Sequence, residues 1–241
     1  VRRFVATLIL ISLLIGCVHR PLPGIYASVS PPEALAILRQ RCESIRTLSS
    51  QGFITLTRPS GDSIRLDAAL VARIPGDLHL RAWKFNRTVF DLTLTPAGLW
   101  MLAPDEPRMQ QQVESGKSGT IQFARAWSLL THDFFFSPDL ATRIKGPDLL
   151  ITRQNEATRV ICAVDRGTLT PRKYTLYDPK DHRQFVLRLD DYSLHDGIAY
   201  PGRMIAESRF GRVEVRLRQI QINAPLAPGA FVPSTRAEKV Q

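Results

Sequence analysis

The residues of this chain that could carry chemistry are few, and their spacing argues against most of what they could do. Ser-Gly-Lys-Ser-Gly-Thr at residues 115–120 is the nearest approach to a phosphate cradle. A P-loop needs a glycine five residues before Gly116, so that backbone N–H groups can wrap the phosphates; this chain has Gln111 there. A flexible hairpin loop fits the stretch better. His132 with Asp133, and His195 with Asp196, are sequence neighbours, whose side chains point apart in a strand. Neither pair accompanies a Gly-x-Ser-x-Gly elbow. Asp190 and Asp191 are separated by the same geometry. The five histidines form no His-x-x-x-His and the three cysteines no Cys-x-x-Cys, so the spacing supports no metal site. The expectation is a protein that is not an enzyme and has no catalytic residue, metal or cofactor. An enzyme would need a polar cluster assembled from distant positions.

One thiol stands in a different setting. Arg2 and Arg3 precede an uncharged, mostly aliphatic run from Phe4 to Gly16. At about thirteen residues, or ~20 Å of helix, it falls short of the ~20 residues that span a bilayer core. A basic start, a short apolar run and small residues at its end are the layout of an export signal. Its end, Leu14-Ile15-Gly16-Cys17, resembles the lipobox of bacterial lipoproteins. That resemblance implies cleavage between Gly16 and Cys17, a diacylglyceryl group on the Cys17 thiol, and residues 1–16 as the signal peptide. A start at Val1 is expected to reflect an alternative initiation codon. Val18 follows the anchor, where an Asp would mark inner-membrane retention, so the expected location is the periplasmic face of the bacterial outer membrane.

Cys42 and Cys162 remain. Export delivers them to a compartment where a disulfide can form, and two separate core thiols are the other reading.

About 225 residues follow the predicted cut, enough for one domain with a sizeable core. The chain carries 32 basic and 22 acidic side chains, a net charge of +10. Only six of the basic residues are Lys, and the arginines are scattered singly along alternating segments. That distribution, without a nucleic-acid motif, excludes nucleic acid as the partner and suits anionic lipid headgroups.

Residues 17–29, with two prolines, a glycine and no periodicity, read as the lipidated cysteine and a flexible tether. Ser30, Pro31 and Glu33 then form a helix start of capping-box type. Leu35, Leu38, Cys42, Ile45 and Leu48 recur at three- and four-residue steps, which predicts a helix with one apolar stripe. After Leu48 the period changes to two. Ile64, Leu66, Ala68, Leu70 and Ala72 alternate with charged residues, and Leu78, Leu80 and Ala82 do the same. Turn signals punctuate the strands, as in an antiparallel meander. A second helix is predicted over residues 120–130, with Ile121, Ala124, Trp127 and Leu130 on one side and the phenylalanines of 134–136 following as an aromatic plug. In the last long strand Val213, Val215 and Leu217 are odd-numbered but Ile220 and Ile222 even, which predicts a β-bulge near Arg218 and Gln219. The expectation is about eleven strands and two helices in one domain, residues 30–233, with a tail over 234–241.

The order of these elements, together with three C-terminal stretches, is similar to the LolA/LolB-like lipoprotein-carrier family. The stretches are DRGTLTPRKYTLYD at 165–178, FVLRLDDYSLHDGIAYPGRMI at 185–205 and VEVRLRQIQINAPLAPGAFVP at 213–233. The segment at 81–95 departs from the family in having no glycine in its turn, at Lys84 to Arg87. The resemblance implies an α+β fold: an unclosed antiparallel β-barrel whose concave face is covered by helices. It also implies a LolB-like acceptor in lipoprotein or lipid delivery, with acyl chains, the membrane reached through the lipid anchor, and a soluble carrier protein as partners.

The alternation itself places Leu66, Leu70, Leu80, Phe90 and Leu92 on the inward face of the first strands. Tyr174, Leu176, Phe185, Leu187, Val213 and Val215 face inward on the later ones. These form the candidate ligand cavity, and Leu35, Leu38, Trp127 and Leu130 the candidate lid. Two readings follow. Either acyl chains replace the helical cover, or the same residues fill a dry core in a scaffold or accessory subunit of an envelope complex.

Overall fold

The computed structural model of the chain describes residue 22, residues 25–103, Trp127 and residues 134–240. Gly16, Cys17 and Leu130 lie outside the described residues, as does the predicted second helix apart from Trp127, which is helical and buried.

Helix α1 (Pro31–Ser44) begins where the capping pattern puts it. The Ser30 backbone N–H donates to Glu33 Oε2 at 3.0 Å and the Ser30 hydroxyl donates to the same oxygen at 2.6 Å. Those bonds hold the Glu33 carboxyl below the usual carboxylate range and place negative charge in the first turn, where the helix dipole favours it. Ala34 and Leu38 are its fully buried positions.

The described strands form one antiparallel sheet. β1 (Thr47–Thr57), β2 (Ser63–Arg73), β3 (Asp77–Lys84), β4 (Arg87–Thr95) and β5 (Gly98–Leu102) form a first meander. β6 (Leu140–Lys145), β7 (Asp148–Gln154), β8 (Arg159–Asp165), β9 (Thr170–Tyr177), β10 (Arg183–His195), β11 (Ile198–Ser208) and β12 (Gly211–Ile222) form a second. β1 pairs with both β2 and β12 and so joins the two meanders. Strand β13 (Glu238–Val240) returns to the edge at β5, giving thirteen strands among the described residues, ordered β13-β5-β4-β3-β2-β1-β12-β11-β10-β9-β8-β7-β6. β13 and β6 are opposite edges, so the sheet does not close. The expected architecture, an open antiparallel sheet with helical cover, is the one present. The two strands beyond the expected eleven include β13, whose three residues are too short to show a period.

The seam between β1 and β12 depends on Gly52. A Cβ there would lie 1.9 Å from the Arg216 carbonyl oxygen. Further along, the register slips between Ser49 and Gln51, opposite Gln219, whose φ is +48°. This is the bulge the sequence parity predicts. The Ser50 hydroxyl fills it by donating to the Arg218 carbonyl at 2.6 Å. Val213, Val215, Leu217 and Ile222 thereby all remain buried.

The C-terminal segment crosses the other face of the sheet. His79 Nδ1 meets the Ala230 carbonyl at 2.7 Å and Nε2 meets Asp91 Oδ1 at 2.8 Å. Arg81 Nε donates to Asp91 Oδ2 at 2.7 Å, and the Arg73 guanidinium lies 4.8 Å from the centre of the Phe231 ring.

Candidate functional site

Every predicted lining residue lies on one face of the sheet, as the register shows. Leu66 is opposite Ile54, Ile54 opposite Val215, Val215 opposite Met204 and Met204 opposite Leu189. Leu187 pairs with Tyr174 and Phe185 with Leu176, while Leu70, Leu80 and Leu92 form a row across β2, β3 and β4. Side chains directly opposite in a ladder share a face, and those two residues apart along a strand do too.

The face divides into a packed part and an open part. A cavity of about 120 Å³ lies between α1, the 134–136 segment and strands β9, β10 and β11. Of the predicted lining, only Tyr174 and Leu187 border it; the other nine pack in the continuous core, Leu176 being half-buried. Of the predicted lid, Leu38 and Trp127 border the cavity, and Leu35 is half-buried against the core. The wall is completed by residues that the alternation did not single out, among them Leu189, Tyr192, Tyr200 and Met204.

The cavity sits here because β10 breaks its alternation. Leu187 and Leu189 face the cavity, and so does Tyr192, three residues on. Between them Asp191 adopts φ +56°, a left-handed conformation that Asp tolerates better than most residues. The neighbouring Gly202 accommodates it, since a Cβ there would lie 3.0 Å from the Asp191 carbonyl oxygen. The adjacent aspartates, with a glycine on the facing strand, were the available signal.

The cover is fastened at two points on α1. Arg39 Nε donates to the Phe135 carbonyl at 2.7 Å. Arg41 Nη1 donates to the carbonyls of Thr168 at 3.0 Å and Leu169 at 2.7 Å. Under the first, Phe134 packs edge-to-face on Phe135 with ring centres 5.1 Å apart, and on Tyr174 at 5.5 Å.

Burial drives the titratable groups of this region toward their neutral forms. It pushes the Cys42 thiol up to about 11, with Glu43 adding to the effect. It also raises the Cys162 thiol and the phenols of Tyr174, Tyr192 and Tyr200. Reactive thiols sit in settings that lower their pKa, so Cys42 behaves as apolar wall and Cys162 as core. Both are free thiols, with no disulfide between them. Among the described residues, no three His, Cys, Asp or Glu side chains converge as a metal ion requires.

The more polar groupings are on the opposite face. Glu214 is held by Arg203 at 2.9 Å, Arg216 at 2.9 Å and Arg212 at 2.8 Å. The bond from Arg203 does most to lower its carboxyl to about 2 against the effect of partial burial. Asp91 is raised by burial, but the hydrogen bonds from His79 and Arg81 outweigh that and leave it lowered. Its bond to His79 raises the imidazole. These networks tie strands together, and none of their members borders the cavity.

Neither a protein-family model nor a curated relative matches the sequence. Solved structures do match in shape. A DUF1329 family protein from Desulfovibrio piger superposes with a TM-score of 0.61 at 16% identity, over 82% of this chain and 94% of its own. A domain assigned to outer membrane lipoprotein sorting, from Vibrio parahaemolyticus, gives 0.60 at 14% identity, over 84% and 97%. A LolA superfamily protein from Nitrosomonas europaea gives 0.54 at 14% identity, over 83% and 97%. At these identities the likeness is one of architecture: the chain shares the open, helix-covered sheet of these three structures.

Proposed function

We propose that this chain is a lipid-anchored, periplasm-facing protein that holds acyl chains between its sheet and its helical cover. It acts as a LolB-like acceptor in the delivery of lipoproteins or lipids to the outer membrane. The observation that carries this reading is the apolar cavity of about 120 Å³ at the junction of α1, the aromatic plug and β9, β10 and β11. A cavity on the order of 150 Å³ takes a benzene-sized guest, so the resting space admits only part of an acyl chain. The rest of the room comes from displacing Phe134 and Phe135. Exposing two buried phenylalanines costs about 3–6 kcal/mol, while burying about fourteen methylenes contributes on the order of 10 kcal/mol. Measured against water, the exchange favours the lipid.

The anchor is Cys17, exposed by cleavage after Gly16, and the membrane is the outer one. Among the described residues no helix is long and apolar enough to cross a membrane, and the lipobox-like Leu14-Ile15-Gly16-Cys17 supports attachment through the lipidated cysteine. A soluble carrier protein is the source of the cargo. The test follows two labels: radiolabelled palmitate must enter the protein through Cys17, and depletion of the protein must slow the arrival of other lipoproteins at the outer membrane. Palmitate incorporation with unchanged lipoprotein sorting would remove the delivery role.

A second reading is favoured by the nine inward residues that fill the core instead of lining a space. In it the protein is an anchored scaffold or accessory subunit of an envelope complex. Crosslinking that recovers a stoichiometric protein partner, with no lipid in the domain, would select that reading.

A further inference from the structure

Beside the apolar cavity lies a second space, a groove of about 370 Å³ bordered by Ile25, Tyr26, Arg41, Thr168, Leu194 and Ile198. The two are neighbours: Arg41 and Ala199 border both. The groove has an apolar rim: Ile25 is 66% exposed and Leu194 55% exposed. Its floor is the point at which the N-terminal segment is clamped to the domain. The Tyr26 N–H donates to the Gly167 carbonyl at 3.0 Å. Arg166 Nη2 donates to the Ala27 carbonyl at 2.7 Å, and the Arg41 guanidinium sits 5.0 Å from the centre of the Tyr26 ring.

We infer that this face lies against the lipid bilayer, with Ile25 and Leu194 at the lipid surface, and that acyl chains reach the cavity through the groove past Arg41. The inference rests on the anchored-carrier reading above. Ile25 is the eighth residue after Cys17, so it is at most ~29 Å from the lipidated residue when the chain is fully extended and about 16 Å as a coil. Among the described residues, the most exposed large apolar side chain, Phe85 at 87%, is in the β3–β4 turn, at the opposite end of the strands. It follows β3 (Asp77–Lys84), and that strand alone runs ~26 Å from the end where Ile74 borders the cavity. A molecule suspended at Tyr26 therefore presents the groove to its own membrane and turns Phe85 away from it. Arg41 and Arg166 supply positive charge beside the rim, which anionic headgroups favour; Asp196, in the β10–β11 turn, is the acid nearest in sequence to Leu194.

The test uses the full, lipidated chain in vesicles of phosphatidylethanolamine and phosphatidylglycerol. Photoreactive benzoylphenylalanine replaces Ile25, Leu194 or Phe85, one at a time, and phospholipid adducts are counted by mass after illumination. Adducts at 25 and 194 severalfold above those at 85 are expected. Adducts at 85 equal to or above those at 194, or none at 25 and 194, overturn the orientation. Native mass spectrometry of the same protein separates the two proposals. Retained lipid without adducts at 25 and 194 removes this orientation and leaves carriage standing. Adducts in protein that holds no lipid do the reverse. An N-terminal peptide without a diacylglyceryl mass on Cys17 overturns both.

Discussion

Arg39 on helix α1 donates from Nε to the main-chain carbonyl of Phe135 at 2.7 Å, across 96 residues of sequence. The bond holds the aromatic plug down on Tyr174 and so sets the resting size of the cavity. Replacing Arg39 with Ala removes a charge-assisted hydrogen bond worth about 1.5–3 kcal/mol. The expected result is a lower melting temperature together with stronger binding of an apolar fluorescent probe such as anilinonaphthalene sulfonate. Arg39→Lys, which keeps a donor but not the fork, is expected to fall between. Loss of stability with no change in probe binding would separate the bond from the cavity.

Ala199 stands where the groove meets the cavity. Ala199→Phe places a ring in that opening without cutting a hydrogen bond. It is expected to abolish probe and lipid retention while the melting temperature moves by only a few degrees, corresponding to about 1–3 kcal/mol of overpacking at most. Retention at the wild-type level would mean that lipid enters elsewhere.

Gly52 fixes the joint between the two meanders, because a Cβ there meets the Arg216 carbonyl oxygen at 1.9 Å. Gly52→Ala must push β1 and β12 apart at the centre of the sheet. The expected cost exceeds about 3 kcal/mol, in the range reserved for broken core packing or backbone, read from urea unfolding. A change within experimental error would show that the seam relaxes freely.

Two networks on the face away from the cavity give stability opposite pH slopes. The His79 pKa is raised, chiefly by its bond to Asp91. Its contribution is complete below the unfolded value near 6.5 and is lost as pH rises through the raised value. Glu214 is lowered from 4.5 to about 2. Its contribution is complete above about 4.5 and is lost as pH falls toward 2. His79→Gln is expected to flatten the neutral-to-alkaline slope, and Glu214→Gln the acid one, each measured by thermal unfolding across pH. Unchanged slopes in either variant would contradict the assignment. Both partners of His79 are acceptors, the Ala230 carbonyl and the Asp91 carboxylate, so the doubly protonated ring satisfies both.

Cys42 and Cys162 are expected to stay reduced. Their thiols react slowly with disulfide reagents near neutral pH because burial raises both, Cys42 to about 11. Identical intact masses with and without reductant test this, and a two-dalton difference would contradict it.

The parts of this structure legible in the sequence are those written as period or parity. The switch from three- and four-residue steps to alternation separated α1 from the sheet, but the stripe overran: α1 ends at Ser44, and Leu48, counted in it, is in β1. The change from odd to even apolar positions around Gln219 located the bulge opposite Ser50. Alternation also put all eleven inward residues on the right face. It could not say which of them border empty space, because a buried Leu80 against packed neighbours and a Leu187 beside a cavity look alike in sequence. The cavity follows from a single irregularity, the left-handed Asp191, and from cover supplied by a distant segment, Phe134 and Phe135. β13 was hidden for another reason. Its three residues are held by the unpaired edge of β5, a long-range pairing without a local period.

The central claim is that the domain carries acyl chains, and native mass spectrometry of the domain expressed from residue 18 in a lipid-containing host tests it most directly. The account predicts a phospholipid- or acyl-sized mass adduct at one per chain, lost in Ala199→Phe. A domain that is uniformly unliganded, and stays so after incubation with phospholipid vesicles, would contradict it.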